Sequence, residues 1–221
     1  MSIGSSIANG AIKLALPKIN NRISEAIQQQ GVDPYTVVTI FEQTLGEFKG
    51  ASVKASGSLN NLTGLSSLEI ESLEFTDGDF NILSDKDSTA KGKFTIRFKE
   101  ALSLDVKGKV SASLLFFSES VDIKAILTNT GSTLNGEASF ALGSLRKAEI
   151  KACEIDSLNW VAGESSIKFD GGLGVFNDFL DDFTETLTTK FNEELAGQIS
   201  TMLKMAAQEA INAVLPVTLN G

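Results

Sequence analysis

The sequence predicts an α+β domain in which an antiparallel sheet is hidden against two amphipathic helices. Three observations carry this. Apolar residues recur at helical spacing near the start, alternate with polar ones through the middle, and return to helical spacing over a long final stretch. No internal repeat and no low-complexity linker interrupts the 221 residues. The expectation is therefore a single domain over 1–221, composed of a helix within 1–30, a sheet over 36–169 and a helical region over 172–214.

The first helix, roughly residues 5–30, rests on Ile12, Leu16, Ile19, Ile23 and Ile27, which fall in a stripe about 80° wide at about 100° per residue. Pro17 either kinks this helix or marks its first turn. Gly31 and the Asp33-Pro34 pair set its end.

The middle region changes to a period of two. Val53-Ala55-Gly57-Leu59, Phe94-Ile96-Phe98, Leu102-Leu104-Val106, Val110-Ala112-Leu114-Phe116 and Val121-Ile123-Ala125-Leu127 each alternate with mostly polar residues. Asp77-Gly78-Asp79, Lys107-Gly108-Lys109, Asn129-Thr130-Gly131 and Asn135-Gly136 read as turns. Strands with one dry and one wet face indicate a long antiparallel meander.

From Gly171-Gly172 the helical period resumes. Phe176, Phe179, Leu180, Phe183 and Leu187 share one stripe. Phe191, Leu195, Ile199, Met202, Leu203 and Ala206 form a second, rotated from the first by roughly 110°. A straight helix cannot present both to one flat surface. Either it breaks near Asn192 or the surface wraps around it.

Composition excludes several chemistries. The chain has no His, so Ser-His-Asp and Cys-His relays and His-ligated zinc are absent. Cys153 is alone and reads as a buried apolar residue. A net charge of −9 without a basic run argues against nucleic acid. Residues 1–16 lack the plan of a signal peptide, which leaves a cytosolic protein and one whose signal has been removed equally open.

The short motifs add little. Asn61-Leu62-Thr63 is an N-glycosylation sequon that matters only in a secreted chain. The stretch from Asp77 begins like a calcium loop but has Ile82 and Ser88 where Gly and Glu are needed. Gly171-Gly172-Leu173-Gly174 reads as a joint rather than a phosphate cradle, and Ser144–Lys147 and Ser165–Lys168 fit S-x-x-K without its companion motifs. Asp181 and Asp182 diverge on a helix and form no dyad. No acid/base or nucleophile constellation emerges, so the chain reads as a non-enzyme with no cofactor motif.

In its order of elements the chain resembles the tubular lipid-binding superfamily, and within it the arthropod single-domain members: mite group 7 allergens, takeout proteins and juvenile-hormone-binding proteins. Asp33-Pro34-Tyr35 resembles their Asp-Pro segment, Asn61-Leu62-Thr63-Gly64-Leu65-Ser66 their Gly-Leu-Ser stretch, and residues 172–214 their terminal helix. The lone cysteine cannot form the N-terminal disulfide usual in the takeout and hormone-binding branches, which favours group 7. The resemblance implies a highly curved sheet wrapped around the last helix, an elongated apolar cavity between them, secretion, and a bound lipid, terpenoid or pigment.

The combined expectation is a carrier of a hydrophobic small molecule. Phe176, Leu180, Phe183, Leu187 and Phe191 on the helix would face Phe94, Phe98, Leu104, Leu114, Phe116 and Ile123 on the sheet. The alternative is a module with a filled core that docks a membrane, a receptor or another protein through its surface.

Overall fold

The computed structural model describes residues 3–29, 31, 33–36, 39–78, 88–143 and 149–218. The calcium-like segment beyond Gly78 and the Ser144–Lys147 motif lie outside the described residues, as do the side chains of Leu195, Met202 and Ala206.

Helix α1 spans Ile3–Gln29 and runs through Pro17, which is therefore not its first turn. Ile12, Leu16, Ile23 and Ile27 are buried and Ile19 packs against them, the face that the spacing predicts. Gly31, at φ 65°, ends the helix by donating its N–H to Gln28 O at 3.2 Å.

Among the described residues ten strands follow: β1 Thr39–Phe48, β2 Ala51–Thr63, β3 Leu68–Gly78, β4 Ser88–Phe98, β5 Leu102–Leu114, β6 Phe117–Thr130, β7 Thr133–Leu142, β8 Glu149–Val161, β9 Glu164–Phe169 and β10 Val217–Thr218. They form a strongly curled antiparallel wall, as the resemblance implies. The wall is not one meander. Its strands pair as two five-stranded ladders, β1-β2-β5-β6-β9 and β10-β8-β7-β4-β3, between which the chain crosses repeatedly. Alternation within a strand shows which face is dry but carries no information about its pairing partner.

Close packing of backbone accompanies the curl. Gly57 and Gly108 stand opposite each other in the β2–β5 register. A Cβ on Gly57 would lie 2.4 Å from Lys107 O and 2.9 Å from the Phe41 ring, so only glycine fits there.

The C-terminal region begins with a 3₁₀ turn over Gly174–Phe179 and continues as α2, Leu180–Lys190, and α3, Ala196–Val214. Between them Phe191–Leu195 forms a π turn closed by Ala196 N–H on Phe191 O. The helix neither stops nor stays regular. Its buried residues Phe183, Leu187, Phe191, Ala196, Ile199, Leu203 and Ala207 have one gap of five residues, and it falls at the π turn. One extra residue in a turn sets everything downstream back by about 100°, which cancels most of the rotation read from the sequence.

Helices close each curled ladder at its edges. Helix α2 meets β1 and β9, the two edge strands of the first ladder. In the second, α1 packs on β3, α3 on β8, and α1 and α3 touch each other. Helix side chains take the place of missing strands there. Asn20 Nδ2 donates to Ile70 O at 3.0 Å while Ile70 N–H donates to Asn20 Oδ1 at 2.8 Å. Phe75 N–H donates to Asn9 Oδ1, and Ser24 Oγ donates to Ser66 O, both at 2.8 Å. On β8, which β10 covers only at Glu149 and Ile150, Gln208 accepts from Ile155 N–H at 2.6 Å and donates to Cys153 O, and Lys204 Nζ donates to Asp156 O at 3.0 Å.

The two segments that carry the family resemblance meet each other. The Asp33 carboxylate accepts from Gly64 N–H at 3.2 Å, Ser66 N–H at 2.7 Å and Ser66 Oγ at 2.6 Å. Tyr35 and Leu62 exchange backbone hydrogen bonds at 2.7 and 2.9 Å. These residues fasten the end of α1 to the β2–β3 connection, a structural task.

Nearby, buried Glu69 takes Arg97 Nε at 2.6 Å and Lys99 Nζ at 2.6 Å. The Lys99 hydrogen bond, helped by Arg97 and opposed by burial, holds its carboxyl below the usual glutamate value.

Two outcomes follow from these ties. Asn20→Ala leaves the Ile70 N–H and C=O without partners and should cost about 1–3 kcal/mol in urea unfolding; an unchanged midpoint would mean the β3 edge is not sealed by α1. Because the Glu69 pKa is lowered on folding, its contribution is present above the ordinary glutamate value and lost as pH falls through the folded value. Glu69→Gln should therefore be less stable than wild type near neutral pH, with the difference fading only as pH falls through the lowered folded value of Glu69. A pH-independent difference would assign its effect to packing.

Candidate functional site

The phenylalanines of the C-terminal helix are buried, but as packing within the curled wall. Phe176 meets Phe48 edge-on at 5.5 Å between ring centroids. Phe183 lies between Phe41 at 6.0 Å and Phe169 at 5.9 Å. Phe191 meets Trp160 at 6.0 Å, and Trp160 in turn meets Phe98 at 6.1 Å. Leu187, Leu104 and Ile123 are buried with them, while Leu180 and Phe98 are half-buried. This row of rings occupies the space in which the sequence reading expected a cavity.

Leu114 and Phe116 were expected to face the helix and do not. Leu114, the last residue of β5, is 47% exposed, and Phe116, in the β5–β6 turn, is fully exposed. Their parity is that of buried Val110 and Ala112. The strands run past the end of the core, so parity there no longer implies burial.

A small cavity, about 40 Å³, lies instead in the second ladder, between α1, α3 and the inner face of β3, β4, β7 and β8. From α1 come Ile12, Ile19 and Ile23; from β3 and β4, Ile70, Leu73, Phe94 and Ile96. Ala138 and Phe140 of β7, Ile150, Cys153 and Ile155 of β8, and Ala207 and Ile211 of α3, with Leu215 beyond it, complete the lining. No charged or hydrogen-bonding side chain stronger than a thiol is present, so water gains nothing by entering. Of the eleven residues proposed from sequence, Phe94 alone lines this space.

Local sequence explains the gap. Ala138 and Ala207 are small residues on facing elements. Phe94 does not fill the space between them because its ring lies down on the neighbouring strand: a Cβ on Gly136, its register partner, would stand 2.3 Å from Phe94 Cζ. Phe140 is likewise laid over Gly92, 3.0 Å from a Cβ there, and held edge-on by Phe75 at 5.1 Å. The cue in the sequence was glycine opposite phenylalanine, visible only once strand register is known.

Cys153 joins this wall, is buried, and has its thiol pushed up to about 12 by burial first and then by Asp156 and Glu154. It is inert packing, as its solitary occurrence suggested. At the other end of the interior, Trp160 Nε1, Asn192 Oδ1 and Ser200 Oγ are buried without hydrogen-bond partners. Asn61 of the sequon is exposed, at φ 52°, and donates to Asp105 Oδ2 at 2.9 Å. Among the described residues no acidic or cysteine group is arranged to hold a metal ion, and no helix is long and apolar enough to cross a membrane.

No protein-family profile and no curated protein matches the sequence. Among solved structures the chain is similar to Takeout 1 of Epiphyas postvittana, at 11% identity over 94% of this chain and 91% of that one, with a TM-score of 0.44. It is also similar to lipopolysaccharide binding protein, at 13% identity and a TM-score of 0.33, covering 96% of this chain but 38% of that one.

The buried thiol gives a direct check on the geometry. With its pKa raised to about 12, Cys153 should react with a thiol reagent near pH 8 at least about 10³-fold more slowly than in denaturant. Fast labelling of the native protein would show that α3 does not cover β8.

Proposed function

We propose that this chain is a non-enzymatic carrier of a hydrophobic small molecule, held in the apolar seam between α1, α3 and the β3-β4-β7-β8 face. The observation that carries the reading is the lining itself: fourteen apolar residues from six elements, with Leu215 beyond α3, converge on an unfilled space. Such a wall cannot orient a reacting group, but it rewards burial of any apolar surface at about 25 cal/mol per Å².

The gap of about 40 Å³ is little larger than one water molecule's share of the liquid, about 30 Å³. A lipid, terpenoid or pigment therefore enters by parting α1 from α3. Those helices touch, and their hydrogen bonds to the sheet run outward to β3 and β8. Separation thus need not break the strand ladders. The carrier works outside the cell, where Asn61, exposed on β2, accepts a glycan.

Native mass spectrometry with organic extraction tests the reading. The expected result is an excess mass at unit stoichiometry that extracts as an apolar compound, or uptake of one from a panel of fatty acids, terpenoids and phospholipids. Ala138→Phe fills the seam and should abolish uptake while costing about 1–3 kcal/mol in stability. Unchanged uptake by that variant would place the ligand elsewhere, and no uptake by wild type would remove the carrier reading.

A further inference from the structure

The β5–β6 hairpin ends in three consecutive large apolar residues outside the core. Leu114 is 47% exposed, Leu115 93% and Phe116 fully exposed, so the fold gains almost nothing from the last two. Leu115 also sits at φ 37°, a left-handed conformation that Gly or Asn adopts at lower cost. Turns are ordinarily built from just those residues. An apolar residue kept at a strained, solvated turn is a cost without an internal return.

We propose that this tip is a contact for a zwitterionic lipid surface, into whose headgroup–acyl boundary Leu115 and Phe116 insert. The charge pattern favours that occupant. Ser111 through Ser118, Ser-Ala-Ser-Leu-Leu-Phe-Phe-Ser, contains no charged side chain, in a chain that is 21% charged. The nearest carboxylate on the hairpin, Glu119, is three residues behind Phe116, about 10 Å along a strand at about 3.3 Å per residue. That matches the depth of about 5–10 Å to which interfacial elements sink.

The base of the tip has the composition of a membrane interface. The β1–β2 turn lies beside it, with a Cβ on Gly50 3.9 Å from Leu114 Cδ2. Phe48 and Phe117 meet at a tilt, 6.0 Å between centroids, and the Lys49 ammonium lies 5.0 and 5.4 Å from their ring centres. Aromatic rings under one cation suit the level at which phosphates meet acyl chains. A net charge of −9 opposes anionic lipids, so insertion and not charge attraction must drive the contact. The contact stands independently of whether the seam holds a ligand.

Flotation with phosphatidylcholine vesicles tests it. Wild type should float with the vesicles, equally at low and high salt. Phe116→Asp and Leu115→Asn should each lower the bound fraction at least tenfold. Leu115→Asn should keep or raise the melting temperature, because Asn accepts the left-handed conformation, so lost binding cannot be ascribed to lost folding. Met205→Asp, at another exposed apolar site on α3, should float as wild type does. Wild type left at the bottom of the gradient would overturn the proposal, as would tip variants that float normally or binding that vanishes with salt. So would a concentration-dependent dimer dissolved by the tip variants, which would make a second copy the occupant.

Discussion

Every edge strand leaves backbone N–H and C=O groups that must find partners, and a curled wall made of two ladders has several such edges. The arrangement of the molecule follows from how they are met. Asn9 and Asn20 of α1 bond the backbone of β3, and Gln208 and Lys204 of α3 bond that of β8. An amide side chain presents a donor and an acceptor together, as a strand does, so these helices act as staves of the barrel rather than as lids laid over it. The volume they enclose is then set by the reach of Asn and Gln side chains.

The two halves of the wall use this enclosure differently. In the first, α2 and the turn before it deliver Phe176 and Phe183 among the sheet aromatics Phe48, Phe41 and Phe169, and rings fill the space; Phe191 at the π turn meets Trp160 of the second ladder. In the second, the seam is lined mainly by aliphatic residues and Ala, and its two phenylalanines, Phe94 and Phe140, lie over glycines. The π turn lets one continuous helical region serve both halves. It returns the apolar stripe to the wall after α2, at the place where the helix passes from the filled half to the open one.

Much of this was legible in the sequence, for identifiable reasons. Helical spacing marked the buried face of α1, and strand parity marked Val53, Ala55, Leu59, Leu102, Leu104, Val106, Ile123, Ala125 and Leu127 correctly. The rotated stripe announced an irregularity near Asn192, although one extra residue per turn lay outside the two outcomes considered. Parity failed at Leu114 and Phe116 because it reports which side a residue faces and not where the core ends. The sequence reading took phenylalanines as cavity wall, whereas Phe176, Phe183 and Phe191 pack against other rings. The residues that leave space are Ala138, Ala207 and the glycines under the rings, and their effect depends on strand pairings that no local pattern encodes.

The closing side chains also lie far from their partners along the chain: Asn20 is 50 residues from Ile70, Asn9 66 from Phe75, and Gln208 53 from Ile155. During synthesis α1 leaves the ribosome before there is a sheet to hold it. The strands then emerge as a wall whose dry face only α1 can cover until α2 and α3 follow. A nascent chain in this state exposes both apolar surface and open strand edges, the two features that promote aggregation. Folding thus waits on α3, and a chain that lacks it leaves the β8 backbone at Cys153–Asp156 and the apolar seam uncovered.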